Sequence, residues 1–251
     1  MSDPYAPMRS GYTRDTLTAA EVAVEAAGVT PLIEAVRDLI DAAIRSEVEP
    51  TELERARAEI EAATARLRER QLPGPFGVRL GDEHARSWGN PVVGVRNAMA
   101  VPLKVTKEAP GSVWAEADLG ARFEGPPGLV HGGISALLLD QMVGEAAASA
   151  GTPGMTGQLT LRYRRPTPLG RLRFEAHVER GEGIKTLVRG VVLAPDAATG
   201  ELVACVEAEA VMILPKWARA QIEATGTTAI GGDALAEPGR PTIPSTSGEH
   251  A

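Results

Sequence analysis

Two hydrophobic periods divide this chain. From residue 30 the apolar positions Leu32, Ile33, Val36, Leu39, Ile40, Ala43 and Ile44 recur on one face of a helix. Thr30-Pro31 reads as its N-cap followed by proline at the first helical position. Pro50 interrupts, and a second helix is expected over residues 51–71. Its apolar residues Leu53, Ala56, Ile60, Ala63 and Leu67 form a narrow stripe at near-heptad spacing. That stripe suits a partner seam or a surface helix laid on its own domain; the second reading is preferred, because strong successive heptads are lacking. Pro73-Gly74-Pro75 ends the helical section, and residues 76–97 read as an irregular connector.

Beyond the connector the period becomes two. Strands are expected over residues 98–107 and 112–119, joined by a turn at 109–111, and again over 158–165, 172–179, 186–193 and 201–214. Leu172, Phe174, Ala176 and Val178 alternate with Arg173, Glu175, His177 and Glu179, the mark of an antiparallel strand with one face on a core. A short helix is expected over 216–223. Residues 1–16 and the Gly-, Pro-, Thr- and Ser-rich residues 225–251 read as loose or disordered. The expected organisation is a helical extension (1–75), a connector (76–97), an α+β domain (98–214) and a tail (215–251).

Between the two sets of strands lies FEGPPGLVHGGISALLLDQMVG, residues 123–144. Residues 134–150 are apolar or small nearly all the way round, as in a helix buried on most sides under a curved sheet. Asp140 interrupts that run, and a buried carboxylate without a partner is costly. It either pairs with a sheet arginine or has chemical work to do. His131-Gly132-Gly133 falls at the helix start, where N–H groups are unpaired, the dipole is positive and glycine admits a ligand close to the backbone. Such a start suits an anion or oxyanion. Asp140 lies about 10 Å further along the axis, too far to act on the same atom within one subunit. Two such helices running antiparallel across a dimer would bring one Asp140 to the other's glycine-rich start.

The composition narrows the partners. Hydrophobic residues make up 43% of the 251 and aromatics 4%, so the core rests on Val, Leu, Ile and Ala. The net charge of −7 argues against nucleic acid. A single cysteine, Cys205, precludes an intrachain disulfide and suits a reducing, cytoplasmic setting. MSDPYAPMRS has no apolar core of a secretory signal, and no run approaches the roughly 20 apolar residues of a membrane span. His84 beside Asp82 and Glu83 is too weak a set to imply a metal, and none is expected. His177 reads as a surface residue and Cys205 as inert. There is no G-x-S-x-G, P-loop or CxxC. Arg162, Arg164 and Arg165 surround Tyr163, either as a solvated strand edge or as phosphate ligands.

FEGPPGLVHGGISALLLD strongly resembles the HGG…D motif of hot-dog acyl-CoA thioesterases of the phenylacetyl-CoA thioesterase (PaaI-like) type, and within them the thioesterase superfamily member four subgroup. GTPGMTGQLTLRYRRPTPLG resembles that family's next strand, and the likeness spans residues 98–214. The resemblance implies an α+β hot-dog fold, a curved antiparallel sheet wrapped around a long central helix. It implies a homodimer, often paired into a homotetramer, that hydrolyses acyl-CoA to a free acid and CoA in fatty acid metabolism, without a cofactor. By position, Asp140 matches the acid that activates water or attacks the thioester. Gly132 matches the glycine whose N–H polarises the carbonyl, His131 the motif histidine, and Thr156 the hydroxyl that orients water or the acid. Val130 and Gly133 are expected to touch substrate, and Arg162, Arg164 and Arg165 the CoA phosphates. Some relatives carry Asn where this chain has Gly125, so any role of that Asn is absent here. The alternatives are a hot-dog hydratase or dehydratase, whose likeness requires a catalytic His on or near the helix, and a non-catalytic acyl-CoA-binding or scaffold protein. Leu137, Leu138, Met142 and Val143 suit an acyl tunnel or plain core equally.

Overall fold

The computed structural model describes residues 11–81, 85–101 and 103–225, with side chains as far as residue 220. Its elements are β1 (Tyr12–Arg14), α1 (Ala19–Arg45), α2 (Pro50–Arg68), β2 (Val78–Leu80), β3 (Ala85–Arg86), β4 (Thr106–Ala109), β5 (Ser112–Leu119), α3 (Gly132–Ser149), β6 (Met155–Tyr163), β7 (Gly170–Glu182), β8 (Lys185–Pro195), β9 (Leu202–Ile213) and α4 (Lys216–Thr225).

Alternation decides the main sheet. Leu172, Phe174 and Ala176 of β7 and Val188, Val192 and Ala194 of β8 point inward and are buried, while Arg171, His177 and Arg189 point out. Six strands pair antiparallel in the order β4-β5-β7-β8-β9-β6. The sheet wraps α3, which buries Leu138, Leu139, Met142, Val143, Ala146 and Ala147 against it. Gly190 marks the closest approach. A Cβ there would stand 3.2 Å from Leu139 and 3.3 Å from Val143, so the helix seats where the strand has no side chain. The expected central helix and its four following strands are therefore present, within a few residues of their expected ends.

The helix is not covered all round, however. Ala136, Leu137, Asp140 and Gly144 remain half-exposed on one face, and β6, an edge strand, leaves most of its residues exposed.

Four expectations need correction. First, α1 begins at Ala19, not at Pro31. Thr18 caps it in a capping box with Glu21 (Glu21 N–H to Thr18 Oγ1 3.3 Å, Thr18 N–H to Glu21 Oε2 2.8 Å). Pro31 sits inside the helix, and the Thr30 hydroxyl donates to the Ala26 carbonyl at 2.7 Å. Thr30 thus bonds back along the helix instead of capping it.

Second, the apolar face of α1 is only partly covered. Ile33, Val36 and Ile40 are half-buried, whereas Leu32, Leu39 and Ile44 are exposed. The buried residue is Arg37, which pairs with Glu34 at 2.6 Å and donates to the Asn97 carbonyl at 3.0 Å. Third, α2 buries no residue, and Leu53, Ile60 and Leu67 stay exposed, against the reading of a helix laid on its own domain.

Fourth, no strand forms over the described residues of 98–105. Val101 and Leu103 are buried in the core, but only residues 106–109 join the ladder. The intervening proline brings no N–H for a ladder bond. The connector and the described end of the segment expected to be loose, residues 11–16, also form structure the sequence did not suggest: β1 pairs parallel to β2, and β2 antiparallel to β3, in a small sheet. The remainder of the expected loose segment (residues 1–10), the expected disordered tail from 226 onward and the set Asp82, Glu83 and His84 lie outside the described residues.

Candidate active site

The start of α3 is assembled by a loop that folds tightly on itself. The His131 N–H donates to the Phe123 carbonyl and the Val130 N–H to the Thr167 carbonyl, both at 2.9 Å. Gly125 allows this closure, since a Cβ there would lie 2.7 Å from the His131 Cα. Any side chain at 125, Asn included, would have to displace the His131 backbone.

His131 is the N-cap. Its Nδ1 accepts from the Gly133 N–H at 3.0 Å, a bond that only an unprotonated Nδ1 can make. Gly133 is thereby occupied. The Gly132 N–H has no acceptor among the described residues and carries the positive end of the helix dipole. The Tyr163 phenol donates to the Gly132 carbonyl at 3.0 Å and lies beside its Cα, leaving little room for a side chain at 132.

A cleft of about 380 Å³ opens at this point, with Val130, Gly132, Ser135, Tyr163, Arg164 and Arg165 in its lining. The two arginines are placed by a β-bulge in β9, where Cys205 falls in the register shift between β8 and β9. The Cys205 carbonyl accepts from Arg164 N–H at 2.8 Å and Arg165 N–H at 3.1 Å. The Cys205 thiol is buried, and burial pushes its pKa up, in keeping with an inert residue. Arg164 pairs with Glu207 at 2.9 Å and Arg165 with Asp196 at 3.7 Å; both are about half-exposed and able to exchange these partners. Arg162 is 3.9 Å from Glu209, which already holds Arg189 at 3.0 Å, and it does not line the cleft.

Asp140 stands apart from this cleft, half-buried on the open face of α3. Its Oδ1 accepts from the Thr156 hydroxyl at 2.8 Å. Thr156 is aimed there by a register shift between β6 and β9 at Gly157, where an added Cβ would run into the Ile213 side chain. The neighbouring Gln141 is engaged elsewhere, accepting from Asn90 Nδ2 at 3.2 Å and donating to Glu145 at 2.8 Å.

The structure thus brings together Val130, Gly132, Arg164 and Arg165, pairs Asp140 with Thr156 elsewhere, uses His131 and Gly133 in the cap, and leaves Arg162 outside. Sequence reasoning missed Tyr163, whose alternation put it in phase with the half-buried Leu159 and Leu161. A tyrosine among exposed arginines at a strand end was the available signal.

This architecture has known counterparts. A thioesterase superfamily model matches residues 127–198. A solved structure of a thioesterase superfamily protein is 33% identical, with a TM-score of 0.62 over 74% of this chain and 90% of that one. The chain belongs to the thioesterase superfamily. Its sheet wrapped around α3 is the hot-dog fold. Acyl-coenzyme A thioesterase THEM4 of Xenopus laevis is 40% identical over 67 residues, 26% of this chain and 30% of that protein. THEM4 of Mus musculus is 33% identical over 81 residues, 32% and 35%. This thioesterase superfamily chain therefore spans about a third of the length of those curated relatives. No helix among its described residues is long and apolar enough to cross a membrane.

Proposed function

We propose that the chain hydrolyses acyl-CoA thioesters to a free acid and CoA, at sites shared between two copies. The observation that carries this reading is the unengaged Gly132 N–H at the start of α3, opening on a cleft with Arg164 and Arg165. A thioester carbonyl seated on that N–H would be polarised, and the tetrahedral oxyanion stabilised by about 3 kcal/mol for a single preorganised donor. Asp140 then either takes the proton of an attacking water or attacks the carbonyl carbon itself. In the first route the carbon–sulfur bond of the tetrahedral intermediate breaks, Asp140 passes the proton it took from water to the CoA thiolate, and the free acid remains. In the second, loss of the CoA thiolate, protonated by solvent, leaves an acyl-Asp140 anhydride, which a water then hydrolyses to the free acid and the restored carboxylate. Thr156 fixes the carboxylate through its hydroxyl, and His131 holds the helix start in shape.

Within one chain Asp140 and the Gly132 N–H are more than two helical turns apart. The half-exposed face of α3 at Ala136, Leu137, Asp140 and Gly144, together with the exposed edge of β6, supports a homodimer in which Asp140 of one copy faces Gly132 of the other. A dimer of dimers is compatible with the same arrangement. The lone, buried cysteine supports a cytoplasmic setting.

The test is CoA release from short, medium, long and aryl acyl-CoAs by the folded, dimeric protein. No release across the panel, with acyl-CoA still bound tightly, would favour a binding or scaffold role instead. The same assay sorts the arginines. Arg164→Ala and Arg165→Ala should each raise KM about tenfold with kcat little changed, the loss of one charge-assisted phosphate contact. Arg162→Ala should leave KM where it is, and a KM that ignored all three would remove the strand end from the CoA site.

A further inference from the structure

A second group of arginines lies where the thioester reading has no use for it. Phe76 and Trp88 stack with ring centroids 5.8 Å apart and planes at 21°. Arg79 sits over Phe76 at 4.2 Å and Arg86 over Trp88 at 4.9 Å, while Arg96 reaches both rings at 5.6 and 5.5 Å. A cleft of about 520 Å³ opens beside this stack, between the C-terminal end of α2, β2 and the connector. Arg70, Arg79 and Arg96 line it together with Leu67, Leu72 and Phe76. It shares no lining residue with the cleft at Gly132.

The charge balance of this cleft is uneven. Its lining carboxylate is Glu25, which is already divided between Arg86 at 2.6 Å and Arg96 at 2.9 Å. Arg86 also pairs with Asp15. Arg70 and Arg79 meet no carboxylate among the described residues. Burial, and after it the charge of Arg96, push the Arg86 pKa below its ordinary value.

Assembling like charges side by side is unfavourable unless something offsets their mutual repulsion. A guanidinium lying on an aromatic face keeps its N–H donors at the edge, in the plane that grips an oxyanion. Next to those donors are Leu67 and Leu72, 54% and 52% exposed, which a small inorganic anion would leave in water.

We propose that this cleft binds an amphiphilic oxyanion, a carboxylate or phosphate monoester carried on an apolar chain. Arg70, Arg79 and Arg96 receive the head group, and Leu67, Leu72 and Phe76 cover the first part of the chain.

The experiment titrates the full chain with decanoate, decyl phosphate and inorganic phosphate by calorimetry, below micelle-forming concentrations. The protein carries Arg164→Ala and Arg165→Ala, so that the cleft at Gly132 does not compete. Saturable binding of at least one decyl probe is expected. Adding Arg70→Gln and Arg79→Gln should weaken it at least about tenfold, through loss of charge-assisted contacts. Binding of decanoate alone assigns a carboxylate head, of decyl phosphate alone a phosphate head, and of both a general oxyanion site. Thermal melting checks folding. Arg70→Gln alone, at an exposed position just beyond the C-terminal end of α2, gives the same comparison should the pair not fold. Absence of saturable binding, or binding unchanged by the Arg70 and Arg79 substitutions, overturns the proposal. Inorganic phosphate held as tightly as decyl phosphate overturns its amphiphilic part.

Discussion

Asp140→Asn should reduce the proposed thioester hydrolysis by at least about 10³-fold while the protein stays folded and keeps its oligomeric state, the upper range expected when a general base is removed. Asparagine keeps the shape of the side chain, and its amide oxygen accepts from Thr156 as the Oδ1 of Asp140 does at 2.8 Å. The half-exposed position means that no buried charge is orphaned or relieved by the change. What is lost is the capacity to take a proton or form a bond to carbon. Acyl-CoA binding should therefore persist, since the substitution leaves Arg164 and Arg165, the proposed CoA contacts, untouched. The measurement is kcat for CoA release alongside acyl-CoA affinity and a melting curve. A variant that kept most of the wild-type kcat would remove Asp140 from the chemistry. A variant that lost binding as well would mean the carboxylate holds substrate or the dimer together instead.

The parts of this molecule legible in the sequence are those governed by local periodicity. Leu172, Phe174 and Ala176 announced β7 because one face of a strand must be buried, and the apolar run after Gly133 announced α3 because a helix apolar all round must be covered. Where pairing partners decide, the same pattern misled. Val101 and Leu103 alternate and are buried, yet no neighbouring strand takes them into the ladder. At α1 two start signals compete along the chain. Thr18 and Glu21 form the capping box that starts the helix, while Thr30-Pro31 carries a start pattern within its interior. The site divides in the same way. His131, Gly132 and Asp140 stand out as residue types that do not belong in plain core. Tyr163 reaches Gly132 across 31 positions, and Asn90 reaches Gln141 across 51, through tertiary contacts that no local spacing encodes. Gly125 is explained only by the His131 Cα that passes against it.

Gly132→Pro should separate the proposed donor from everything else at the helix start. Gly132 is the first helical residue, where proline is tolerated because the N–H there has no intrahelical partner. His131 has φ −60° and ψ 130°, an extended conformation outside the α region that a following proline disfavours. The substitution therefore deletes one N–H while leaving the helix able to form. Its side effect is steric, since any Cβ at 132 approaches the Tyr163 ring at 3.2 to 3.4 Å. Gly132→Ala carries that same Cβ but keeps the N–H, and so serves as the reference. The alanine variant should lose only a few-fold in kcat, at the scale of one strained contact or a weakened Tyr163 hydrogen bond of about 1 kcal/mol. The proline variant should fall about 10² to 10³-fold below it, the usual consequence of removing one oxyanion donor. In a Tyr163→Ala background the ring is gone and the steric term with it, so the gap between alanine and proline at 132 should persist. If proline proved as active as alanine in both backgrounds, the Gly132 N–H would not be the group that stabilises the oxyanion, and the source of catalysis would have to be sought elsewhere along the cleft.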